Sequence, residues 1–225
     1  MNQTNIVFFG APGAGKGTQA KKISESLSLP HIDTGSLIRE AIANKTILGM
    51  KAKEFVEAGK LVPDDLVIAL IKEKLANLKS NNFKGFVLDG YPRTIPQAEA
   101  LDEMLLQLKL ELKSVLNIKV QEELLIKRLS SRRLCSNKSC GAIYNLITKK
   151  PKIENKCDLC GDDLYQRKDD SEDASKERLR EYKSKTAPIE DYYKKRNKLF
   201  DINGEGEPNK VYNEILKVLN LSPKC

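Results

Sequence analysis

Short apolar runs that break at glycine or aspartate recur along the chain, with helical spacing between them. TNIVFFG (4–10) ends at a glycine, as a strand buried on both faces of a parallel sheet does. FKGFVLDG (83–90) repeats the pattern and ends in Asp89, LKSVLNIKV (112–120) and KLFDIN (198–203) add two strands, and LPHID (29–33) a short fifth. Helical spacing runs from Lys16 to Leu27 and returns near 65–79, 95–108, 121–133 and 208–220. Strands alternating with helices predict an α/β fold, a central parallel five-stranded sheet with helices on both faces. Two segments break the rhythm. Residues 34–62 hold short helical pieces without a good strand, and residues 134–168 hold cysteines, glycine, proline and TKKPK without helical periodicity. Both read as insertions at the strand ends where ligands bind.

With 225 residues, 40% hydrophobic and 31% charged, the chain reads as globular, of one or two domains. No apolar run reaches the ~20 residues of a membrane span, and MNQTNIVFFG lacks the basic flank of a secretory signal. A cytoplasmic location is therefore expected. The net charge of +8 raises the possibility of a nucleic-acid or anionic partner, but nine arginines against 30 lysines make most of it a solvated lysine surface. Arginine offers a planar fork suited to phosphate oxygens and lysine does not. Each arginine in such a chain invites the question of what needs the fork.

GAPGAGKGTQ (10–19) follows the first strand and opens the first helix, the setting that marks a phosphate-binding loop. Backbone N–H groups of residues 11–17, with Gly13, Ala14, Gly15 and Gly17 among them, would cup a polyphosphate at the helix N-terminus, and Lys16 would reach its outer phosphates. The usual magnesium hydroxyl would stand at 17. Gly17 removes it, and Thr18 points about 100° away. Magnesium is then held chiefly by nucleotide and water, and Asp89 is placed to orient such a water.

GAPGAGKGTQ, TGSLIRE, GKLVPDDL, DGYPRTIPQAE and RKDD, with RL and TAPI downstream, resemble in order the motifs of adenylate kinases, and the match spans nearly the whole chain. The middle insertion is similar to that of the long-lid bacterial form. The resemblance implies a P-loop NTPase fold with a core of residues 1–32, 63–130 and 171–225. It also implies an AMP-binding helical insertion at 33–62 and a zinc-stapled lid at 131–170. It further implies reversible, magnesium-dependent phosphoryl transfer between ATP and AMP, in a monomer acting on ATP, AMP and ADP rather than on nucleic acid or membrane.

In that chemistry the acceptor phosphate is already an anion, so no general base is needed and catalysis reduces to alignment and charge neutralisation. By resemblance Arg39 and Arg93 hold the AMP phosphate, Arg132, Arg167 and Arg178 surround the phosphates in transfer, and Arg128 lies along the ATP adenine. Arg128 and Arg132 are read as one helix face at i, i+4 spacing. The resemblance also places Thr34, Gly35 and Gln97 at the AMP site, lined by Lys60, Leu61, Val62, Gly90, Tyr91 and Pro92. It places Ile143, Tyr144, Thr18 and Gly206 at ATP. The family usually has Ser-Thr-Gly-Asp where this chain reads Asp33-Thr34-Gly35-Ser36.

Four of five cysteines cluster: Cys135-x4-Cys140-Gly and Cys157-x2-Cys160-Gly have the spacing of a closed four-thiolate zinc site, structural rather than catalytic. Free or oxidisable thiols are the alternative. Cys225 is expected to be a free thiol without a role. The rival readings are a kinase for another nucleoside monophosphate, a zinc-ribbon nucleic-acid binder, and an NTP sensor. The second would interleave aromatic and basic residues along one face, whereas here the arginines fall within the phosphate motifs. The third would not need a second phosphate clamp.

Overall fold

The computed structural model describes residues 3–78, 83–137 and 139–221; Lys79, the last residue of the helix expected near 65–79, and Cys225 lie outside these. β1 (Thr4–Gly10) leads through the glycine-rich turn into α1 (Lys16–Leu27) and β2 (His31–Asp33). α2 (Thr34–Ala43) and α3 (Ile47–Glu57) pack as a pair before α4 (Asp64–Leu78), β3 (Gly85–Asp89), α5 (Ile95–Gln107), β4 (Leu112–Lys119) and α6 (Glu122–Ser130). Three short strands follow: β5 (Arg132–Cys135), β6 (Ile143–Asn145) and β7 (Leu164–Tyr165). A 3-10 turn at Lys168–Asp170, α7 (Glu172–Glu181), a π-helical turn at Tyr182–Thr186, α8 (Ile189–Lys194), β8 (Leu199–Asn203) and α9 (Pro208–Val218) complete the chain.

The five expected strands pair in parallel in the order β2-β3-β1-β4-β8. Successive strand residues point to opposite faces, and both faces are covered. Val7, Phe9, Phe86 and Leu88 pack with Ile71, Leu101 and Tyr193 on one side. Ile6, Phe8, Val87 and Leu116 pack with Ile23, Ile215 and Leu216 on the other. At ~1.5–3 kcal/mol per buried large apolar side chain, these two layers make the sheet a rigid platform. β1 has β3 on one side and β4 on the other, so the strand order reverses beside it, and ligands bind such a sheet at the crevice above that point. The registers set Phe8 of β1 and Asp33 of β2 opposite Asp89. The glycine-rich turn, Asp89 and Asp33 therefore share one edge of the sheet.

The second sheet is antiparallel, in the order β6-β5-β7. Its small core consists of Cys135, Ala142, Tyr144, Cys157 and Leu164, with Cys140 against it. One sequence expectation is corrected here. Arg128 and Arg132 do not share a helix: α6 ends at Ser130 and Arg132 opens β5. The Ser131 hydroxyl donates back to the Lys127 carbonyl at 2.5 Å and that of Ser130 to Ile126 at 3.1 Å, closing the last turn. The next residues then pair with β6 and β7. The pattern of apolar positions also missed α7 and α8. Their sequence is mostly charged, and its large buried apolar side chains are few: Leu179, Ile189 and Tyr193, with the small Ser175 also buried. The local start signal is Ser171, whose hydroxyl accepts from Ala174 N at 3.4 Å. No described helix is long and apolar enough to cross a membrane.

Candidate active site

The phosphate loop is shaped by what lies under it. Gly13 has φ +85°, and a Cβ there would sit 2.8 Å from the Leu125 carbonyl oxygen, so only glycine fits. α1 starts at Gly15 with no side-chain cap and no acidic residue in its first turn, which leaves its first amides and its dipole to an anion. Lys16 Nζ donates to the carbonyls of Gly10 at 2.8 Å and Ala11 at 2.9 Å. Burial lowers its pKa from 10.5 to about 8, with Asp89 opposing and Arg93, Arg178 and Arg132 adding repulsion. Groups from β3, α7, β5 and the turn after β3 thus converge on one ammonium.

Asp89 is buried at the end of β3. Burial pushes its carboxyl above the usual carboxylate range, and Lys16 works against this. A Cβ on Gly17 would lie 3.2 Å from Asp89 Oδ2. Glycine at 17 leaves the approach to the loop to that carboxylate, while Thr18 is exposed.

Three arginines are set by two neighbouring carboxylates. Asp170, with no exposed surface, accepts from Arg132 Nε at 2.7 Å, from Arg132 Nη2, and from Arg178 Nη1 at 3.0 Å. Asp169 accepts from Arg167 Nε at 2.7 Å and Nη2, and lies 3.3 Å from Arg178 Nη1. Burial, opposed by Asp169 and reinforced by Arg132 and Arg167, brings Arg178 down to about 10. Arg39 is also lowered to about 10, by burial and then by Arg167, against Asp33. Neither carboxylate drew attention in the sequence beyond lying in RKDD. Their signal is that two consecutive acids sit among the arginines.

On the other side of Asp89, Gly90, Tyr91, Pro92 and Arg93 form a turn with a cis Tyr91–Pro92 bond. Arg93 Nε donates to the Gly90 carbonyl at 2.7 Å, and Arg93 N donates to Gln97 Oε1 at 2.7 Å. Thr34 Oγ1, at the start of α2, is buried without a hydrogen-bond partner. Lys60 is exposed, Leu61 half-buried, and Val62 packs into the main core.

The exchanged residues at 33 and 36 still form a pair. Asp33 caps α2 by accepting from Gly35 N at 3.0 Å, and the Ser36 hydroxyl donates to its other oxygen. Burial would raise the Asp33 carboxyl, but Arg39 and Ser36 outweigh it and hold it low. Arg39 Nη2 in turn donates to Ser36 Oγ at 2.9 Å.

Arg128 Nη1 donates to the Gly204 carbonyl at 2.9 Å. Gly204 packs tightly on β4, since a Cβ there would meet Ile118 Cγ2 at 2.4 Å, and Gly206 is exposed beyond it. Ile143 faces outward, but the Tyr144 ring is buried in the small core of the second sheet. Its hydroxyl lies 3.6 Å from Cys157 Sγ and accepts from Asp158 N at 2.7 Å. Of the two, only the Ile143 side chain is therefore free to meet a molecule outside the second sheet.

Sγ of Cys135, Cys140, Cys157 and Cys160 lie within 4.8 Å of one another. Cys135–Cys160 is 3.3 Å and Cys140–Cys157 3.7 Å, close to the ~3.8 Å edge of a tetrahedron with ~2.3 Å zinc–sulfur bonds. The donor set fits zinc. The longer first pair is accommodated by Asn137, whose Oδ1 accepts from Ser139 N at 3.0 Å and Cys140 N at 3.3 Å, turning the chain back. Burial disfavours the Cys157 thiolate, but hydrogen bonds from Tyr144 and the Leu159 and Cys160 amides win and bring it to about 6.

A glycine-rich phosphate loop at the switch point of a parallel sheet, faced by arginines from α2, the turn after β3, β5 and α7, defines a P-loop phosphotransferase. Comparison with known proteins narrows the class. The family model described as adenylate kinase matches residues 8–198. An adenylate kinase of Archaeoglobus fulgidus is 51% identical over 215 residues, covering 96% of this chain and 97% of its own. One from Thermosipho melanesiensis is 50% identical over 96% and 99%, and one from Clostridium botulinum 48% over 95% and 97%. The chain belongs to the adenylate kinase family, phosphotransferases with a phosphate group as acceptor.

Proposed function

We propose that this chain converts one ATP and one AMP reversibly into two ADP, and so keeps the adenine nucleotides in balance. The observation that carries the reading is the convergence of Asp89, Arg93, Arg132 and Arg178 on Lys16. One cation belongs to the loop that cups ATP, Arg93 comes from the acceptor side, and Arg132 and Arg178 come from β5 and α7. An oxygen of the AMP phosphate attacks the terminal phosphorus of ATP, the bond to the ADP oxygen breaks, and no proton need move. Lys16 shifts from the Gly10 and Ala11 carbonyls to the phosphates. Arg132 and Arg167 are held by Asp170 and Asp169 along their Nε–Nη2 edges, which leaves Nη1 of each fork for the group in transfer. Arg178 works beside them, Arg39 and Arg93 grip the AMP phosphate, and Arg128 lies against the ATP base.

On this reading residues 33–62 are the AMP-side insertion, 131–170 the lid, and the remainder the core. The buried, unpartnered Thr34 hydroxyl supports an adenine there, together with Gln97. Magnesium travels with ATP, with Asp89 orienting its water. Cys135, Cys140, Cys157 and Cys160 would hold a zinc that substitutes for a core in a segment too short to bury one. Cysteines placed for a metal rather than for disulfides support a reducing, cytoplasmic setting. Apart from Lys16, the cations gathered in the cleft are arginines, which supports nucleotides, not nucleic acid or membrane, as partners of a monomer. The test is turnover of ATP with AMP, GMP, CMP and UMP as acceptors. Two ADP per AMP consumed, with AMP strongly preferred, is expected. Absence of ADP, or preference for another acceptor, overturns the reading.

A further inference from the structure

Asp64, the first residue of α4, is tied to the acceptor side of the cleft by two hydrogen bonds. Its Oδ1 accepts from Gln97 Nε2 at 2.7 Å and its Oδ2 accepts from the Thr94 hydroxyl at 2.9 Å. Thr94 Oγ1 in turn accepts from Gln97 N at 3.3 Å, and Gln97 Oε1 accepts from Arg93 N at 2.7 Å. Gln97 is 2% exposed, and its own carbonyl accepts from the Tyr91 hydroxyl at 3.0 Å. Every donor and acceptor in this ring has a fixed sense. A backbone N–H can only donate, a carboxylate can only accept, and the single Thr94 proton is committed to Asp64.

We propose that Asp64 sets the base selectivity of this enzyme by holding the Gln97 amide in one of its two orientations. The proposal rests on the reading that Gln97 meets the acceptor base. A primary amide has two protons and two lone pairs. With one proton on Asp64 and one lone pair on Arg93 N, a donor at Nε2 and an acceptor at Oε1 remain, at fixed places. Adenine offers the complement, an amino group beside a ring nitrogen that accepts. A 6-keto purine reverses both, presenting a keto oxygen beside a protonated ring nitrogen. To suit it the amide would have to flip. Flipping sets Nε2 against the Arg93 N–H and Oε1 against the Asp64 carboxylate, so two buried hydrogen bonds become two like-with-like contacts. Without Asp64 only the Arg93 amide opposes the flip. Asp64 is thus a positioning residue, acting on the base through Gln97 without touching it.

The test compares AMP with IMP, which differs from AMP only in this reversal, as acceptors for wild type, Asp64→Ala, Asp64→Asn and Gln97→Ala. The readout is the ratio of kcat/KM for AMP to that for IMP. Losing the lock should narrow the ratio by about fivefold or more in Asp64→Ala, the lower end of what a bidentate base contact discriminates. Asp64→Asn keeps the shape at the start of α4 but satisfies the ring in neither orientation, so it should narrow the ratio less. It carries the test alone if the alanine variant does not fold. Gln97→Ala separates the two ideas. If it narrows the ratio and the Asp64 variants do not, lowering both substrates in parallel instead, Asp64 is merely structural and the proposal is wrong. If Gln97→Ala itself leaves the ratio unchanged, Gln97 does not meet the base, and both the reading and the proposal built on it fall.

Discussion

Asp170 holds the arginine cluster together, and the substitution Asp170→Asn isolates that role. The carboxylate has no exposed surface; Arg132 and Arg178, which it binds, keep 22% and 17% of theirs. The asparagine side chain would fill the same space but remove a charge from between two guanidiniums already set against Lys16 and Arg167. Removing one partner of a buried ion pair costs ~3–5 kcal/mol. Because asparagine can still accept one hydrogen bond, the lower figure is the better expectation. For a chain of this size each kcal/mol moves the melting midpoint by ~2–4 °C, so a fall of about 6–12 °C is expected for the free enzyme. Bound nucleotides supply phosphate charge to the same arginines, so saturating ATP with AMP should raise the midpoint of the variant by more than that of wild type. Thermal denaturation with and without nucleotides measures both effects. A variant melting within about 2 °C of wild type, or gaining no more from nucleotides, would refute the argument that Asp170 offsets repulsion within the cluster.

Three further outcomes follow from the site. With burial bringing Lys16 to about 8, kcat/KM for ATP should fall above that pH, since it reports the free enzyme, whereas kcat at saturation should hold to higher pH because bound phosphates restore the proton. A profile for kcat/KM that is level to about pH 9.5 contradicts this. The same shift has the opposite sign for folding: between about 8 and 10.5 the unfolded lysine holds more protons than the folded one, so this group's contribution to stability rises with pH across that window. Stripping metal with a chelator should release zinc, measurable by its amount per chain, and lower the melting temperature while leaving turnover at low temperature largely intact. Loss of turnover in a still-folded, metal-free enzyme would contradict a structural role for the four cysteines.

The sheet and the phosphate loop were legible in the sequence because both depend on local pattern. Runs such as IVFF and FVLD, short and closed by glycine, read as strands covered on both faces, and glycine at 13 answers to a backbone contact that no other residue permits. Arg132 was misread because helical spacing continues through Ser130 and Ser131 by count alone. The stop comes from hydroxyls bonding back to carbonyls, which spacing does not encode. α7 and α8 went unseen because a charged segment held by a few buried side chains shows little periodicity. That strand alternation turns the Tyr144 ring toward the thiols and Ile143 outward is likewise invisible in the pair IY. Asp64 was hidden for a different reason: an acid in the first turn of a helix already has an ordinary explanation in the macrodipole. Its second role exists only because Gln97 and Thr94, thirty-odd residues away, come back to it.

The resting position of Lys16 on two carbonyls of its own loop bears on how fast the enzyme can let go. A half-buried ammonium left bare as product departs would resist that departure, by ~1–3 kcal/mol for a lost hydrogen bond of this kind. Here the carbonyls of Gly10 and Ala11 are waiting, so release exchanges one set of acceptors for another. The lysine can grip a phosphate firmly during transfer without making the loop a trap for what it has just made.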